Sequence, residues 1–546
     1  MRVTGAQIVV HLLEKLGVVT VAGIPGGAIL PLYDALAESS IRHVLARHEQ
    51  GAGFIAQGIA RATGRAGVCL ATSGPGATNL VTALADAKAD SIPLVALTAN
   101  VTRSLMGTDA FQEVDFYTLT ISVTKHNFLV EDAGDLFRVI PEAFRLAESP
   151  RPGPVSVDIP KDVLGETVEL EAWPEVLTLP VETNGVADPE DDWIEMVAGT
   201  VASAERPVIY AGGGAAGSWE ALRAFARTER IPVATTLMGL GLMEPADPLW
   251  LGMVGMHGTQ RANQALADAD LVLALGVRFD DRATGKISEF CPKAVVVHVD
   301  LDRAELGKIH RVDYGWAGDV GRFLEALGGR SPLRAVRCAE FDPAPIFSAL
   351  AEALGPDALV TTDVGQHQMW AAQHFPVRKP GTFLTSGGLG TMGFGLPAAI
   401  GAALARPGQR VACLTGDGSI LMNIQELATL AELRLPVVVV VFHNGGLGMV
   451  RQQQELFYES QFVASGLEGG PDFPALARAF GLKAWKVSGL IMARRIFAEA
   501  LSYRGPSLIE IPVAQRALVF PMVAPGSANT DALTARPMKE ASGGTL

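Results

Sequence analysis

Residues 436–442 read Pro-Val-Val-Val-Val-Val-Phe and stop at His443-Asn444. A strand made of this run has no polar face, so it must be covered on both sides, as in parallel sheets sandwiched between helices. A second apolar run, residues 411–415, stops at Gly416-Asp417-Gly418-Ser419, and a helix-like segment separates the two. The pair predicts neighbouring parallel strands of an α/β domain, and ligands of such sheets bind outside the carboxyl ends of the strands.

Asp417 and Asn444 then stand at the same end of adjacent strands. A carboxylate and a carboxamide, completed by a loop carbonyl, suit a hard cation such as magnesium, which in turn holds a diphosphate. Gly416 and Gly418 let backbone approach phosphate oxygens, and Ser419 can donate at the start of the next helix. Gly-Asp-Gly is also an ordinary turn. A nicotinamide site competes for the same residue: Gly388-Leu389-Gly390-Thr391-Met392-Gly393 fits G-x-G-x-x-G, with Asp417 near the place of a ribose-binding acid. That reading leaves His443-Asn444 without a task. A Walker-type loop fails, because Ile287 follows Gly285-Lys286 and Asp280 stands where the first glycine belongs.

The 546 residues allow three or four domains, and 49% hydrophobic against 19% charged residues allows large cores. Strand-like and helix-like stretches alternate in three blocks, predicting three doubly wound parallel-sheet domains. The first covers residues 1–163, with strand-like stretches at 19–22, 44–46, 68–72, 94–98 and 155–159. A linker is expected over 164–192. The second block covers 193–323, with strands at 208–211, 233–235, 271–275 and 295–299. A second linker over 324–342 leads to the third block, 343–513, and a Pro- and Ala-rich irregular tail fills 514–546. A net charge of −14 argues against nucleic-acid binding through phosphates. No apolar run is long enough to span a membrane, and the amino-terminal segment is helix-like rather than a signal peptide. The four cysteines are scattered, without metal spacing or a disulfide framework, as expected in the cytoplasm.

Glu49, in Arg47-His48-Glu49-Gln50-Gly51-Ala52, follows a strand and opens a helix. It fits either a helix-dipole acid or a catalytic acid/base.

Together with further motifs, these residues resemble the thiamine-diphosphate-dependent acetohydroxyacid synthases (acetolactate synthases), large catalytic subunit. The motifs include Gly23-Ile24-Pro25-Gly26-Gly27, Ser73-Gly74-Pro75-Gly76-Ala77-Thr78-Asn79, Gly107 to Glu113, Asp158-Ile159-Pro160-Lys161-Asp162 and Arg278-Phe279-Asp280-Asp281-Arg282. The resemblance covers nearly the whole chain. It implies that pyruvate is decarboxylated on thiamine diphosphate and that the two-carbon unit joins a second pyruvate or 2-oxobutyrate.

The first block then binds the cofactor's pyrimidine and the third its diphosphate, with the active site between subunits of a homodimer or homotetramer. Asp417, Asn444 and the carbonyl of Gly446 become ligands of Mg²⁺. Val364, Gly365, Gln366, His367, Gly416, Gly418, Ser419 and Met449 become cofactor contacts. Glu49 hydrogen-bonds a pyrimidine ring nitrogen, the Gly390 carbonyl accepts from the amino group, and Met392 bends the cofactor. Gly26, Phe111, Gln112 and Lys161 become active-site residues, and Arg282 guides the second substrate. The second block binds a structural FAD through Arg151, Gly212, Gly213, Gly214, Thr236, Leu237, Met238, His257, Arg278, Asp280, Asp300 and Asp319.

The flavin-free catabolic synthase, a flavin-linked pyruvate oxidase and a catalytically silent homologue are the alternatives, and a small regulatory subunit is a candidate partner. Two positions depart from the family's common pattern: His443 replaces an asparagine, and Gln453 replaces the tryptophan that favours 2-oxobutyrate.

Overall fold

The computed structural model of the protein describes residues 1–175, 189–328, 343–467, 469–487, 490–515 and 517–535. Three six-stranded sheets, each wholly parallel, organise the chain. In the first domain the strands are β1 (Thr20–Gly23), β2 (Arg42–Leu45), β3 (Gly67–Ala71), β4 (Leu94–Asn100), β5 (His126–Leu129) and β6 (Pro154–Pro160), in spatial order β2-β1-β3-β4-β6-β5. The central domain has β7 (Pro207–Ala211), β8 (Val233–Thr235), β9 (Trp250–Met253), β10 (Leu271–Leu275), β11 (Val295–Asp300) and β12 (Tyr314–Ala317), in order β9-β8-β7-β10-β11-β12. The third has β13 (Leu359–Thr362), β14 (Phe383–Leu384), β15 (Val411–Gly416), β16 (Val437–His443), β17 (Lys483–Lys486) and β18 (Ser507–Pro512), in order β14-β13-β15-β16-β18-β17.

The first and third sheets thus share one winding, while the central sheet has the dinucleotide-fold order. Each winding first reverses between β1 and β3, β7 and β10, and β13 and β15, and in the first and third sheets the last two strands also exchange places. The loops leaving those strand pairs open a crevice where a ligand can enter. The valine run behaves as its composition requires: Val437 to Val441 are buried, and the register pairs Gly416 with Phe442. The register therefore sets Asp417 beside His443-Asn444.

The first and third domains pack through the Glu49–Thr63 and Gly395–Ala405 helices. A Cβ at Gly58 would overlap the Ala398 carbonyl, and one at Gly401 would overlap that of Ile55. Only hydrogen at these positions lets the two backbones touch.

Several stretches read as connections have more order. Thr167–Glu169, inside the first expected linker, pairs antiparallel with Arg2–Thr4, and the Asp191–Ser203 helix also starts there. Residues 176–188 lie outside the described ones. The Val320–Leu327 helix enters the second expected linker, of which 329–342 lie outside the described residues. The carboxyl-terminal segment is irregular but packed: Val519, Met522 and Val523 are buried, and Asn529 Nδ2 donates to the Ala283 carbonyl at 2.8 Å. Residues 536–546 of the expected tail lie outside the described residues.

Candidate active site

The third domain's crevice opens between the Asp363–Gln366 and Gly416–Ser419 turns. Asp417 Oδ2 accepts from the Gly445 and Gly446 N–H groups at 2.7 and 3.1 Å, and Oδ1 accepts from Gly418 N–H at 3.1 Å. Burial pushes its carboxyl above the usual range, against the opposing pull of His443 and these N–H groups. A desolvated carboxylate held by backbone N–H groups, with His443 Nε2 3.8 Å away as the neighbouring basic group, suits a bound cation. Asn444 Oδ1 accepts from Gly446 N–H at 3.1 Å, and its Nδ2 donates to Gln366 Oε1 at 3.0 Å.

Gln366 is committed within the protein, since its Nε2 donates to Gln452 Oε1 at 2.9 Å and to the Ala517 carbonyl at 2.8 Å. It orients Asn444. Ser419 donates its hydroxyl to the Val364 carbonyl at 2.5 Å, tying the two turns together. His367 is buried with Nε2 unpartnered, and burial lowers its pKa to about 3, so it faces the crevice as a neutral imidazole. Gly416 makes room for that ring, because a Cβ there would lie 2.9 Å from His367 Nδ1. An orphaned buried nitrogen beside a glycine turn and a desolvated carboxylate fits a magnesium diphosphate.

His443 sits between two carboxylates: Nδ1 lies 3.0 Å from Glu510 Oε1 and Nε2 lies 3.8 Å from Asp417 Oδ2. Glu510, buried on β18, also meets Lys486 Nζ at 2.7 Å. The histidine therefore links Asp417 to a charge network in the sheet.

The crevice widens into a cavity of about 900 Å³ shared by the third and central domains. Gly390, Met392, Met449 and Gln453 line it, together with Val364, Gly365, Gln366, His367, Gly416, Gly418, Ser419, Asp417, Asn444 and Gly446. From the central domain come Gly213, Gly214, Thr236, Leu237, Met238, His257, Arg278, Asp280, Arg282 and Asp300, with Arg151 from the first domain. This half surrounds the β7/β10 switch point, where Gly214 packs against Gly276. Asp300, raised to about 6 by burial, stands at the end of β11, where its ionised oxygens can take ribose hydroxyls. His257 is neutral, its pKa lowered to about 4 by burial, and its Nδ1 lies 3.2 Å from the Pro521 carbonyl. Arg151 pairs with Asp302 and, at 2.6 Å, with Glu305. Glycines at the turn and an acid at a neighbouring strand end fit a dinucleotide such as FAD.

Gly212 and Asp319 do not line the cavity. Gly212 N–H donates to the Leu275 carbonyl at 3.0 Å, and Asp319 caps the Val320–Leu327 helix through Arg322 N–H at 3.1 Å.

Gly26, Glu49, Phe111, Gln112 and Lys161 lie elsewhere. Gly26, Glu49 and Gln112 gather at the first domain's own switch point. A Cβ at Gly26 or Gly76 would lie 2.5 or 2.8 Å from the Thr72 side chain, and Gly74 faces Gln112. Glu49 Oε2 accepts from Asn79 Nδ2 at 2.9 Å. Phe111 is 88% exposed, and Lys161 is exposed at the start of a short helix.

Sequence reasoning missed Asp363. Fully buried and raised to about 6 by burial, it accepts from Val364 and Gly393 N–H at 3.0 and 2.8 Å, bracing the glycine-rich segment from below. Its only sequence signal is an acid directly after a short apolar strand. Asn79 was visible only as the last residue of the Ser73 to Asn79 motif, and Thr72 only as the end of a strand-like stretch.

Two half-sites stand at the switch points of sister sheets, one with Glu49 and one with Asp417, Asn444 and an orphaned His367 nitrogen around a glycine turn. Sequence comparison decides the matter. Three family descriptions match in order: "Thiamine pyrophosphate enzyme, N-terminal TPP binding domain" over residues 3–119, the central domain over 194–327, and the C-terminal TPP binding domain over 363–511. The isozyme 1 large subunit of acetolactate synthase from Escherichia coli K12 is 48% identical, over 97% of each chain. Isozyme 2 of the same organism is 46% identical over 97% of this chain and 99% of its own. The large subunit from Corynebacterium glutamicum is 45% identical over 97% and 90%. This chain belongs to the acetolactate synthase large-subunit family. The three matches fall in order on the three sheets, the first ending before β5 and β6 and the third beginning just after β13. The G-x-G-x-x-G segment is thereby a thiamine-enzyme loop, and the nicotinamide reading falls.

Proposed function

We propose that the chain joins two molecules of pyruvate into 2-acetolactate, with release of carbon dioxide, and accepts 2-oxobutyrate as the alternative second substrate. The observation that carries this reading is Asp417 beside Asn444 at the β13/β15 switch point, opening into the same cavity as the Gly390–Met392 loop. When bound, thiamine diphosphate supplies the carbanion and the electron sink for decarboxylation. Asp417, Asn444 and the Gly446 carbonyl hold Mg²⁺, and His367 meets the diphosphate. The Gly390 carbonyl would accept from the amino group, and Met392 would pack against the cofactor. Glu49 holds a proton against a pyrimidine ring nitrogen. Arg282, an exposed guanidinium at the cavity mouth, takes the second substrate's carboxylate. The central half of the cavity would hold FAD as a structural group.

Because Glu49 lies outside its own chain's cavity, the reading includes a homodimer in which each active site combines one chain's first domain with its partner's third. The dimer can pair into a tetramer. The relatives' designation as large subunits supports a small regulatory partner. Buried free thiols at Cys69, Cys291 and Cys413 support a cytoplasmic setting. Among the described residues, no helix is long and apolar enough to cross a membrane.

A colorimetric acetolactate assay with pyruvate tests the proposal. Omitting thiamine diphosphate or magnesium from the stripped protein is expected to abolish product, and omitting FAD to reduce it strongly. Full activity of a colourless, flavin-free preparation would instead place the chain with the catabolic synthases. Reduction of an electron acceptor during turnover would mark an oxidase.

Gln453, half-buried on the Gly448–Phe457 helix, lines the cavity. An amide there forgoes the apolar contact that an indole offers to an ethyl group. The Gln453→Trp change is therefore expected to raise acetohydroxybutyrate over acetolactate by about 10- to 200-fold when the two acceptors compete. An unchanged product ratio would remove Gln453 from the specificity pocket.

A further inference from the structure

The loop from Ser386 to Thr391 carries Gly390 into the cavity, with Met392 directly after it. The loop is held by the first domain. Asp90, at the end of the Val81–Ala89 helix, accepts from two successive backbone groups, Gly387 N–H at 3.0 Å and Gly388 N–H at 2.7 Å. Asp86, one turn earlier, accepts from the Ser386 hydroxyl and, at 3.0 Å, from the Thr391 hydroxyl. Thr391 N–H closes the loop's base on Ser386 Oγ at 2.8 Å. Arg61 spans both acids, 2.9 Å from Asp90 and 3.4 Å from Asp86, and both carboxylate side chains are wholly buried.

This is more than a domain contact. A buried carboxylate is costly unless its oxygens are filled, so these acids fix their donors in place. The donors are the base and one limb of a single loop, while its tip stays open: Leu389 is 48% exposed and Gly390 has φ +67°. The central domain meets the same point, since Arg278 donates to the Ala89 carbonyl and a Cβ at Gly387 would lie 2.6 Å from Met238 Sδ. The diphosphate turns at Asp363–Gln366 and Gly416–Ser419 have no contact with Asp90 among these bonds.

We propose that Asp90, supported by Asp86 and Arg61, is a positioning residue for catalysis: it sets where the Gly390 carbonyl and the Met392 side chain stand over the cavity. The inference rests on the proposed thiamine diphosphate site. Asp90 touches no reacting atom. It acts through the loop, and so it bears on the cofactor's aminopyrimidine and not on its diphosphate.

The test is calorimetric titration of the stripped, FAD-loaded full chain with two probes, thiamine diphosphate plus Mg²⁺ and inorganic diphosphate plus Mg²⁺. Asp90→Asn keeps the side chain's shape but turns one acceptor into a donor facing Arg61 or a backbone N–H. The Kd for thiamine diphosphate is expected to rise about tenfold, the weight of one hydrogen bond to a charged acceptor, while the Kd for inorganic diphosphate stays the same. Thr391→Val removes one hydroxyl from Asp86 and is expected to shift thiamine diphosphate alone by about threefold; it decides the question if Asp90→Asn does not fold.

Equal affinities of wild type and variants for thiamine diphosphate overturn the inference. So does an equal weakening of both probes, which would show general loosening. A wild-type chain that binds inorganic diphosphate but not thiamine diphosphate overturns the cofactor reading, and the inference with it.

Discussion

Glu49→Gln is expected to lower acetolactate formation by about 10²- to 10⁴-fold, the range a positioned acid/base contributes, with the fold and FAD content unchanged. The substitution is nearly isosteric. Its amide oxygen can still accept from Asn79 Nδ2, the one side-chain donor to Glu49 Oε2 among the described residues. The residue opens the Glu49–Thr63 helix, and His48 Nδ1 caps that helix through Gln50 N–H at 3.1 Å, so the helix start does not depend on the carboxylate. What disappears is the ability to share a proton with a ring nitrogen. The loss should therefore fall on kcat, with the Kd for thiamine diphosphate rising far less than the rate falls. Undiminished acetolactate formation by the variant would refute the role given to Glu49.

The placement of Glu49 shows where sequence reading reached and where it stopped. The valine run of β16 and the glycine turn after β15 were legible because a strand buried on both faces has no polar position and because ligands gather where such strands end. The edge strand β17 was not: with Lys483 and Lys486, it has no apolar run. Nor was β18 named, although it is internal to the sheet. It carries Glu510, whose buried charge is answered by His443 and Lys486 from neighbouring strands.

The acids that brace the glycine-rich loop were hidden for another reason. Asp86 and Asp90 read as one face of an ordinary helix, while their donors stand about 300 residues later, at Ser386, Gly387 and Gly388. Sequence spacing carries no trace of such a contact. The flavin half was visible only through family motifs, because Asp300 and Gly213 taken alone are a strand-end acid and a turn glycine. Gln366 shows a finer limit. The resemblance makes it a diphosphate contact, yet its amide is shared among Asn444, Gln452 and Ala517. A side chain's bonding capacity becomes countable only once its neighbours are placed.

The second large effect concerns the opposite half-site and tests how the halves combine. Asp417→Ala removes the carboxylate that three backbone N–H groups converge on. Outer partners of metal ligands are each worth about 10- to 100-fold in affinity, so loss of a ligand itself should weaken thiamine diphosphate with Mg²⁺ by more than about 100-fold. Stability should change less, because a desolvated charge leaves together with its hydrogen bonds. Alone, the variant is expected to form no measurable acetolactate. Dissociated and reassociated with Glu49→Gln, however, it should recover activity. In a hybrid dimer one site carries both lesions, while the other joins an intact Glu49 to an intact Asp417. Random pairing makes half the dimers hybrid, and one of two sites in each is whole, so about a quarter of wild-type activity is expected. A site built within a single chain cannot complement in this way. A mixture as inactive as its parents, with exchange of chains confirmed by a mass tag, would therefore return Glu49 to its own chain's cavity and remove the shared-site arrangement.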